Sequence, residues 1–296
     1  MEMNSQQLNP IIGKMRYNEV SAILPDIAFP YAIVKGEVLS LYAYGDVGQR
    51  TSSDVDILVS RNHLEEMDQV LTQHGFSTTT RNRREAVMAL AFSHQVKPYV
   101  TRRAFLSIDL DINFDIFWGE YTGPRVDMDD FISDAEPVEI YGVTVMTLPM
   151  DKTFVQLVLH HYKEMNSLYL LAEHNYIRRN LFQDLYFLVK RNPKTCSPAA
   201  VKEQCEKCGA RPYAFYMVYY SSLVFPDAMW QPYIEILRSE EGEALLDWYG
   251  LSEQERKRWR VDFSARLDAP SVLEYIQQDL TKQDLEKIRR NREVFG

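Results

Sequence analysis

The chain contains few cysteines, and it has neither a long apolar run nor an apolar N-terminal segment. The 296 residues include only three cysteines, and an odd number in a chain of this length disfavours a disulfide framework. No apolar run reaches the roughly 20 residues that are needed to span a bilayer. The start, MEMNSQQLNP, is polar, which predicts that no signal peptide is present. We therefore expect a cytoplasmic protein that does not interact with a membrane.

A zinc or redox site also lacks its usual partners. Cys205 and Cys208 form a Cys-x-x-Cys pair, but no second pair and no nearby histidine completes a zinc site. The surrounding segment, VKEQCEKCGA, is typical of the end of a helix that is closed by Gly209. We expect neither a metal nor a redox role for these cysteines.

An excess of positive charge is missing as well. Lysine and arginine number 33 against 42 aspartates and glutamates, which gives a formal net charge of −9. Proteins that bind duplex DNA normally carry a basic face, so we do not expect broad DNA binding, although this balance is compatible with a local basic pocket. Hydrophobic residues make up 46% of the chain and charged residues 25%, as is usual for a globular protein of one large or two modest domains.

The texture of the sequence changes near Pro149. Before it, helix-like and strand-like segments alternate. After it, long runs carry apolar residues at i, i+3 and i+4. This pattern predicts an α+β fold with an α/β domain over residues 1–148 and an all-helical domain over 149–296. Within the first part we predict a helix in 16–30, a helix from Gly36, a strand over DVDILVS, a helix from a cap at Asn62 to Gly75, and a hairpin turning at Gly142.

Two predicted strands carry carboxylates on one face. In DVDILVS, Asp54 and Asp56 stand at i and i+2 and therefore share a face, which we expect to be exposed because the aliphatic residues between them point to the core. In RRAFLSIDLDINFDIFWG, apolar residues alternate with polar ones. Its polar face carries Asp109, Asp111 and Asp115, so the chain presents two acidic strand faces.

Paired carboxylates need an offsetting charge. At contact distance two of them repel each other by roughly 3–4 kcal/mol at an effective dielectric constant of about 20. Mg²⁺ prefers a few carboxylates together with phosphate oxygens and water, and two such ions can flank a phosphoryl group. Lys35 and Gly36 at a helix start, with Arg50 nearby, are suited to hold phosphate. For Asp-x-Asp alone, a solvated sheet face is the alternative interpretation.

The segment IVKGEVLSLYAYGDVGQRTSSDVDILVSRNHLEEMDQVLTQHGF resembles the uncharacterised nucleotidyltransferase family of bacteria, part of the polymerase-beta-like nucleotidyltransferase superfamily. The resemblance rests on Lys35-Gly36, Arg50, Asp54-Val55-Asp56 and Gly75-Phe76, and extends in order over about residues 30–225. It implies a polymerase-beta-like mixed sheet with flanking helices, followed by an all-α half. It also implies transfer of NMP from an NTP, with ATP expected, to an unidentified acceptor (a small molecule, peptide, tRNA or protein), with release of pyrophosphate and dependence on Mg²⁺ or Mn²⁺.

The resemblance also implies residue roles. The catalytic metal ligands would be Asp54, Asp56 and Asp111, and the triphosphate would be held by Lys35, Gly36, Arg50 and Ser53, with the hydroxyls of residues 51–53. Asp109 is the alternative to Asp111, because the match to the family's later acidic strand allows either register.

Two positions depart from the family pattern. Glu37 follows Gly36 where the superfamily usually has a small residue, and Asn113 stands where the family usually has histidine. Because of these departures, an alternative function stays open: a catalytically degenerate relative that binds a nucleotide or a partner and acts as an accessory or regulatory protein. A third interpretation keeps the metal site but changes the chemistry to phosphoryl transfer or hydrolysis.

Overall fold

The computed structural model describes residues 5–50, 52–103, 106–173, 177–267 and 269–295. The fold is α+β, with a mixed sheet in the N-terminal part and helices in the C-terminal half. The chain forms two compact units, Met1–Ile116 with Val126–Thr153, and Phe117–Arg125 with Phe154–Gly296. The expected division into separate domains at Pro149 stays a prediction.

The first unit is built on a five-stranded sheet with the strand order β1-β2-β5-β4-β3. β2 and β5 run parallel, and the other neighbours run antiparallel. A separate hairpin joins β6 and β7. The strands are β1 Tyr31–Val34, β2 Asp54–Val59, β3 Ser77–Thr78, β4 Tyr99–Arg103, β5 Leu106–Asn113, β6 Glu136–Ile140 and β7 Val143–Thr147.

Helices pack around this sheet and bury its aliphatic side chains. The helices are α1 Ser5–Ile23, α2 Gly36–Tyr44, α3 Leu64–Gln73, α4 Arg83–Phe92 and α5 Met128–Ile132. The core includes Val20 of α1, Ile57 of β2, Leu71 of α3 and Leu110 of β5. The residues of β2 from Val55 to Val59 are all buried, as expected for a strand that is covered on both faces.

The second unit is helical apart from one short ladder, in which β8 Trp248–Tyr249 pairs with β9 Lys257–Arg258. α6 begins in the first unit and continues into the second. The centre of this unit is α10, most of whose side chains are buried. In the part of the chain that is described, no helix is long and apolar enough to cross a membrane. The helices are α6 Met150–Asn166, α7 Leu168–Glu173, α8 Arg179–Arg191, α9 Pro198–Cys208, α10 Arg211–Val224, α11 Trp230–Leu237, α12 Glu240–Leu245, α13 Phe263–Leu267, α14 Leu273–Ile276 and α15 Lys282–Phe295.

Several predicted elements are confirmed and three differ. The helix from Gly36, the strand from Asp54 and the hairpin at Gly142 are present. The first helix is longer than predicted and ends before the turn that contains Pro25. The strand predicted over 102–119 is shorter: β5 begins at Leu106 and ends at Asn113, so Asp115 lies beyond it, and residues 102–103 belong to β4. Asn62 is not the helix cap: it lies in a 3-10 turn, where its backbone N–H donates to the Ser60 hydroxyl.

Candidate active site

The two acidic strand faces lie side by side. β2 and β5 pair in parallel, with Asp54 opposite Asp109 and Asp56 opposite Asp111. Neighbouring strands are about 4.8 Å apart, and residues two apart on a strand share a face. The register therefore places all four carboxylates on one face of the sheet, in two facing pairs. It brings together the three aspartates that the sequence singles out and keeps Asp109 beside Asp54.

Asp56 is buried, contrary to the exposed face that we expected. The residue is 6% exposed, because β2 is a central strand and two side chains close over the carboxylate. The Lys35 ammonium forms an ion pair with Asp56 Oδ1. Asn113 Nδ2 donates to the same oxygen at 3.1 Å. The residue that replaces the family histidine thus contacts the central carboxylate directly.

Asp111 lies opposite Asp56 and is only partly exposed. Burial raises the pKa of Asp111 to about 7, and the charges of Asp56 and Asp54 add to the shift, whereas Lys35 and a hydrogen bond from Gln95 oppose it. Gln95 Nε2 donates to Asp111 Oδ2 at 3.3 Å. Burial first, and the two neighbouring carboxylates second, thus favour the protonated form of this carboxyl group.

The turn between β1 and α2 adopts an unusual backbone conformation. Lys35 has φ 57° and ψ −147°, and Gly36 has φ 43°. Positive φ is uncommon for a residue with a side chain. The Lys35 side chain does not cap α2, which begins at Gly36, and the start of a helix favours an anion. A Cβ on Gly36 would lie 3.4 Å from the Ser52 hydroxyl, which makes this turn a close approach between two loops.

The loop from α2 to β2 is held by serine hydroxyls. Ser40 Oγ donates to the Asp46 carbonyl at 2.6 Å and accepts from the Arg50 backbone N–H at 2.9 Å. Ser52 Oγ lies 3.0 Å from Asp54 Oδ1, to which it donates. The hydroxyl of Ser52 was expected to help hold the triphosphate, and its contact with Asp54 was not predicted, because a serine in a polar loop carries no distinctive pattern. Ser53, predicted to bind phosphate, is exposed, and residue 51 lies outside the described residues.

Glu37 is buried inside the first unit. Its Oε1 forms an ion pair with Arg16 Nη1 of α1 at 3.2 Å, and both side chains are 4% exposed. Burial raises the pKa of Glu37, an effect that Arg16 opposes. The pair joins the start of α2 to α1, so the departure from the superfamily pattern is accommodated structurally. Its partner lies 21 residues away, which is why local patterns do not reveal it.

The aspartates offer the hard oxygen ligands that Mg²⁺ or Mn²⁺ prefers. Nevertheless, over the described residues, no group of three or more His, Cys, Asp or Glu side chains is arranged to hold a metal ion. At Asp56, the Lys35 ammonium contacts an oxygen that a metal would need. The Lys35 ammonium thus supplies a positive charge among the aspartates of β2 and β5. The donor set therefore fits a metal in its chemistry, provided that Lys35 moves away.

The chain matches a known family over most of its length. The sequence profile of the family described as uncharacterised nucleotidyltransferase matches residues 16–226. A similar solved structure is the solution structure of antibiotic-resistance factor ANT(2'')-Ia, with TM-score 0.36, 10% identity, and coverage of 71% of this chain and 94% of that chain. Another is a crystal structure of an antigenic nucleotidyltransferase-like protein from Paracoccidioides brasiliensis, with TM-score 0.35, 15% identity, and coverage of 76% and 99%. A comparison with curated proteins gives no match.

Proposed function

The chain belongs to the uncharacterised nucleotidyltransferase family, and from this premise we propose that it transfers NMP from an NTP, with ATP as the expected donor, to an acceptor. Pyrophosphate is the second product. The observation that carries the proposal is the parallel pairing of Asp54 and Asp56 with Asp109 and Asp111. The start of α2 at Gly36 follows Lys35, which contacts Asp56.

Three aspartates would hold a divalent metal: Asp54, Asp56 and Asp111. A bound Mg²⁺ or Mn²⁺ would neutralise phosphate charge and polarise the phosphoryl group. Lys35 would leave Asp56 for the phosphates, so the same ammonium would balance the carboxylate before binding and the triphosphate afterwards. Asn113 would keep Asp56 oriented through its hydrogen bond.

The triphosphate would be bound by Lys35, Arg50, the hydroxyl of Ser53 and the first N–H groups of α2 from Gly36. A helix start and cationic side chains both favour an anion. Asp111 would orient the acceptor group beside the donor. Because phosphoryl-type transfers need little covalent help from the protein, positioning and charge neutralisation would supply most of the rate enhancement.

The test uses Asp54→Asn, Asp56→Asn and the double variant. Each should lose Mg²⁺-dependent NTP binding in calorimetry and pyrophosphate release in a turnover assay, while circular dichroism shows an unchanged fold. Asp109→Asn and Asp111→Asn, compared side by side, decide which aspartate of β5 is required. Unchanged NTP affinity in the double variant with Mg²⁺ present would falsify the metal-ligand assignment.

The acceptor can be sought with the same protein. Incubation with each labelled NTP, Mg²⁺ or Mn²⁺ and a cell extract should transfer the labelled NMP to one class of molecule. A non-catalytic accessory relative would instead bind NTP without releasing pyrophosphate. Transfer of a phosphoryl group with ADP as product would indicate the third chemistry, so product analysis separates the three functions.

A further inference from the structure

The second unit contains a cavity of about 510 Å³. This volume lies in the range of small-molecule sites, roughly 300–1,000 Å³. Its wall is formed by segment 121–124, the end of α9, the start of α10, the start of α12 and the turn before β9. All of these segments belong to the second unit. The cavity is therefore formed by the second unit alone, whereas the acidic face belongs to the first unit.

Arg256 places a guanidinium at the wall of the cavity. Its guanidinium makes no hydrogen bond and no ion pair with any residue that the structure describes, and its Nε is shielded from solvent without a partner. A buried donor without a partner costs about 1–3 kcal/mol, and more when the group is charged. An arginine therefore lines the cavity with donors that no described residue uses.

The other arginine of the cavity, Arg211, is fully engaged. It donates to the carbonyls of Ile236, Leu237 and Arg238 at 2.8–3.2 Å and contacts Glu206 at 3.4 Å. These bonds cap the C-terminal end of α11, where the last carbonyls of a helix lack partners. Arg211 is thus structural, and Arg256 is the cavity cation that a ligand would meet.

Two carboxylates at the cavity have no counter-ion either. Glu241 and Glu253 line it, and both are exposed. Neither forms an ion pair with a described residue, whereas Glu206 is paired with Lys202 and Arg211. The cavity therefore presents an available cation and two available carboxylates together.

Aromatic and aliphatic side chains form the rest of the wall. Tyr121 and Tyr213 line the cavity with ring centroids 6.3 Å apart, and Leu251 lies beside them. Tyr121 is held by stacking on Phe117 at 3.9 Å, and Tyr213 packs edge-on against Trp118 at 5.2 Å. Such fixed rings suit an apolar or aromatic ligand body at little entropic cost.

From this juxtaposition we propose that the cavity binds a small zwitterion that carries a carboxylate and a protonated amine on an apolar or aromatic body, the chemistry of a free amino acid. Arg256 would bind the carboxylate, since a guanidinium and a carboxylate pair in a bidentate way. Glu241 and Glu253 would bind the ammonium group. Tyr121 and Tyr213 would contact the side chain.

The test is ligand binding by the full chain without NTP or metal, so that its result is independent of nucleotidyl transfer. Pools of the common amino acids are screened by saturation-transfer NMR, and the tightest binder is titrated by calorimetry. We expect saturable binding at micromolar to millimolar concentration. Two analogues of this amino acid are then compared with it: the amine without the carboxylate, and the N-acetyl derivative without the charged amine. Each should bind at least about tenfold more weakly than the amino acid itself.

The variants locate the site. Arg256→Gln should weaken binding at least about tenfold, and Arg258→Gln is the matched control, because Arg258 is exposed and paired with Asp247. The double variant Glu241→Gln/Glu253→Gln should bind the amino acid more weakly. It should bind the corresponding carboxylic acid without the amino group as the wild type does. If Arg256→Gln does not fold, Arg256→Lys and the Glu241→Gln/Glu253→Gln double variant are used in its place. Absence of binding by every amino acid, or equal effects of Arg256→Gln and Arg258→Gln, would overturn the proposal.

Discussion

Asp111 should make the stability of the metal-free protein fall as pH rises. Its pKa in the folded protein is about 7 against an ordinary value of 3.8, because of burial first and then the charges of Asp56 and Asp54. Between those values the folded protein keeps a proton that the unfolded chain has lost. The contribution to stability is therefore complete below the unfolded pKa and is lost as pH rises through the folded pKa.

The magnitude follows from the shift. Each pH unit between the two pKa values costs about 1.4 kcal/mol of unfolding free energy. From about pH 5 to about pH 8 the loss is roughly 2.5 kcal/mol without screening. Asp111 is partly exposed, and solvent screening reduces the expected loss to about 1–2 kcal/mol. Asp111→Asn removes the titration, so the difference between the two proteins isolates it.

The assay must report on the first unit. All four tryptophans lie in the second unit, so their fluorescence would report on unfolding of that unit and not of the first. Amide hydrogen exchange of peptides from β2 and β5, with a chelator present, measures the opening free energy of the relevant strands. Asp109→Asn, one pleat away on β5, leaves Asp111 in place and should retain the steeper pH dependence. Parallel pH profiles for the wild type and Asp111→Asn would refute the reasoning.

Further predictions concern charge balance and packing. Lys35→Met should bind Mn²⁺ more tightly without nucleotide, because Asp56 loses its ammonium, yet lower kcat/KM at least about tenfold in a turnover assay. Glu37→Ala should destabilise the first unit by about 3–5 kcal/mol, because Arg16 is left buried without a counter-ion. Urea unfolding followed by circular dichroism measures the loss of stability. Adding Arg16→Met to the Glu37→Ala variant should recover most of that loss. Leu185→Ala should cost the second unit about 2–5 kcal/mol, measured by tryptophan fluorescence during unfolding, since Leu185 is fully buried and the truncation leaves a cavity.

The elements that the sequence predicts well are those set by local pattern. The helix from Gly36 and the strand from Asp54 follow from short-range periodicity, and the turn at Gly142 follows from one glycine with φ 83°. The acidic face of β5 follows from strict alternation, since side chains on a strand point to opposite faces in turn. Local pattern does not reveal where such a strand ends: the alternation continues to Ile116, whereas β5 ends at Asn113.

The features that the sequence does not reveal are non-local pairings. Asp56 looks like a surface residue when β2 is considered alone, but it is buried, and its carboxylate contacts Lys35 and Asn113. The contact of Arg16 with Glu37 joins two helices, and neither residue has a local feature that marks it. Asn113 reads as a lost histidine in the sequence, whereas in space it is a donor to the central carboxylate.

One physical constraint connects the substituted positions to the acidic face. Asp54, Asp56 and Asp111 concentrate negative charge, and a protein without bound metal must offset that charge from its own residues. It does so in two ways: Lys35 pairs with Asp56, and the raised pKa of Asp111 lets that carboxyl keep a proton. An asparagine at 113 adds a neutral donor without adding another titrating group. A histidine there would compete with Lys35 for Asp56 when protonated, so Asn113→His should loosen the Lys35 contact and shift the pH dependence of metal binding, which Mn²⁺ titrations between about pH 6 and about pH 8 would measure.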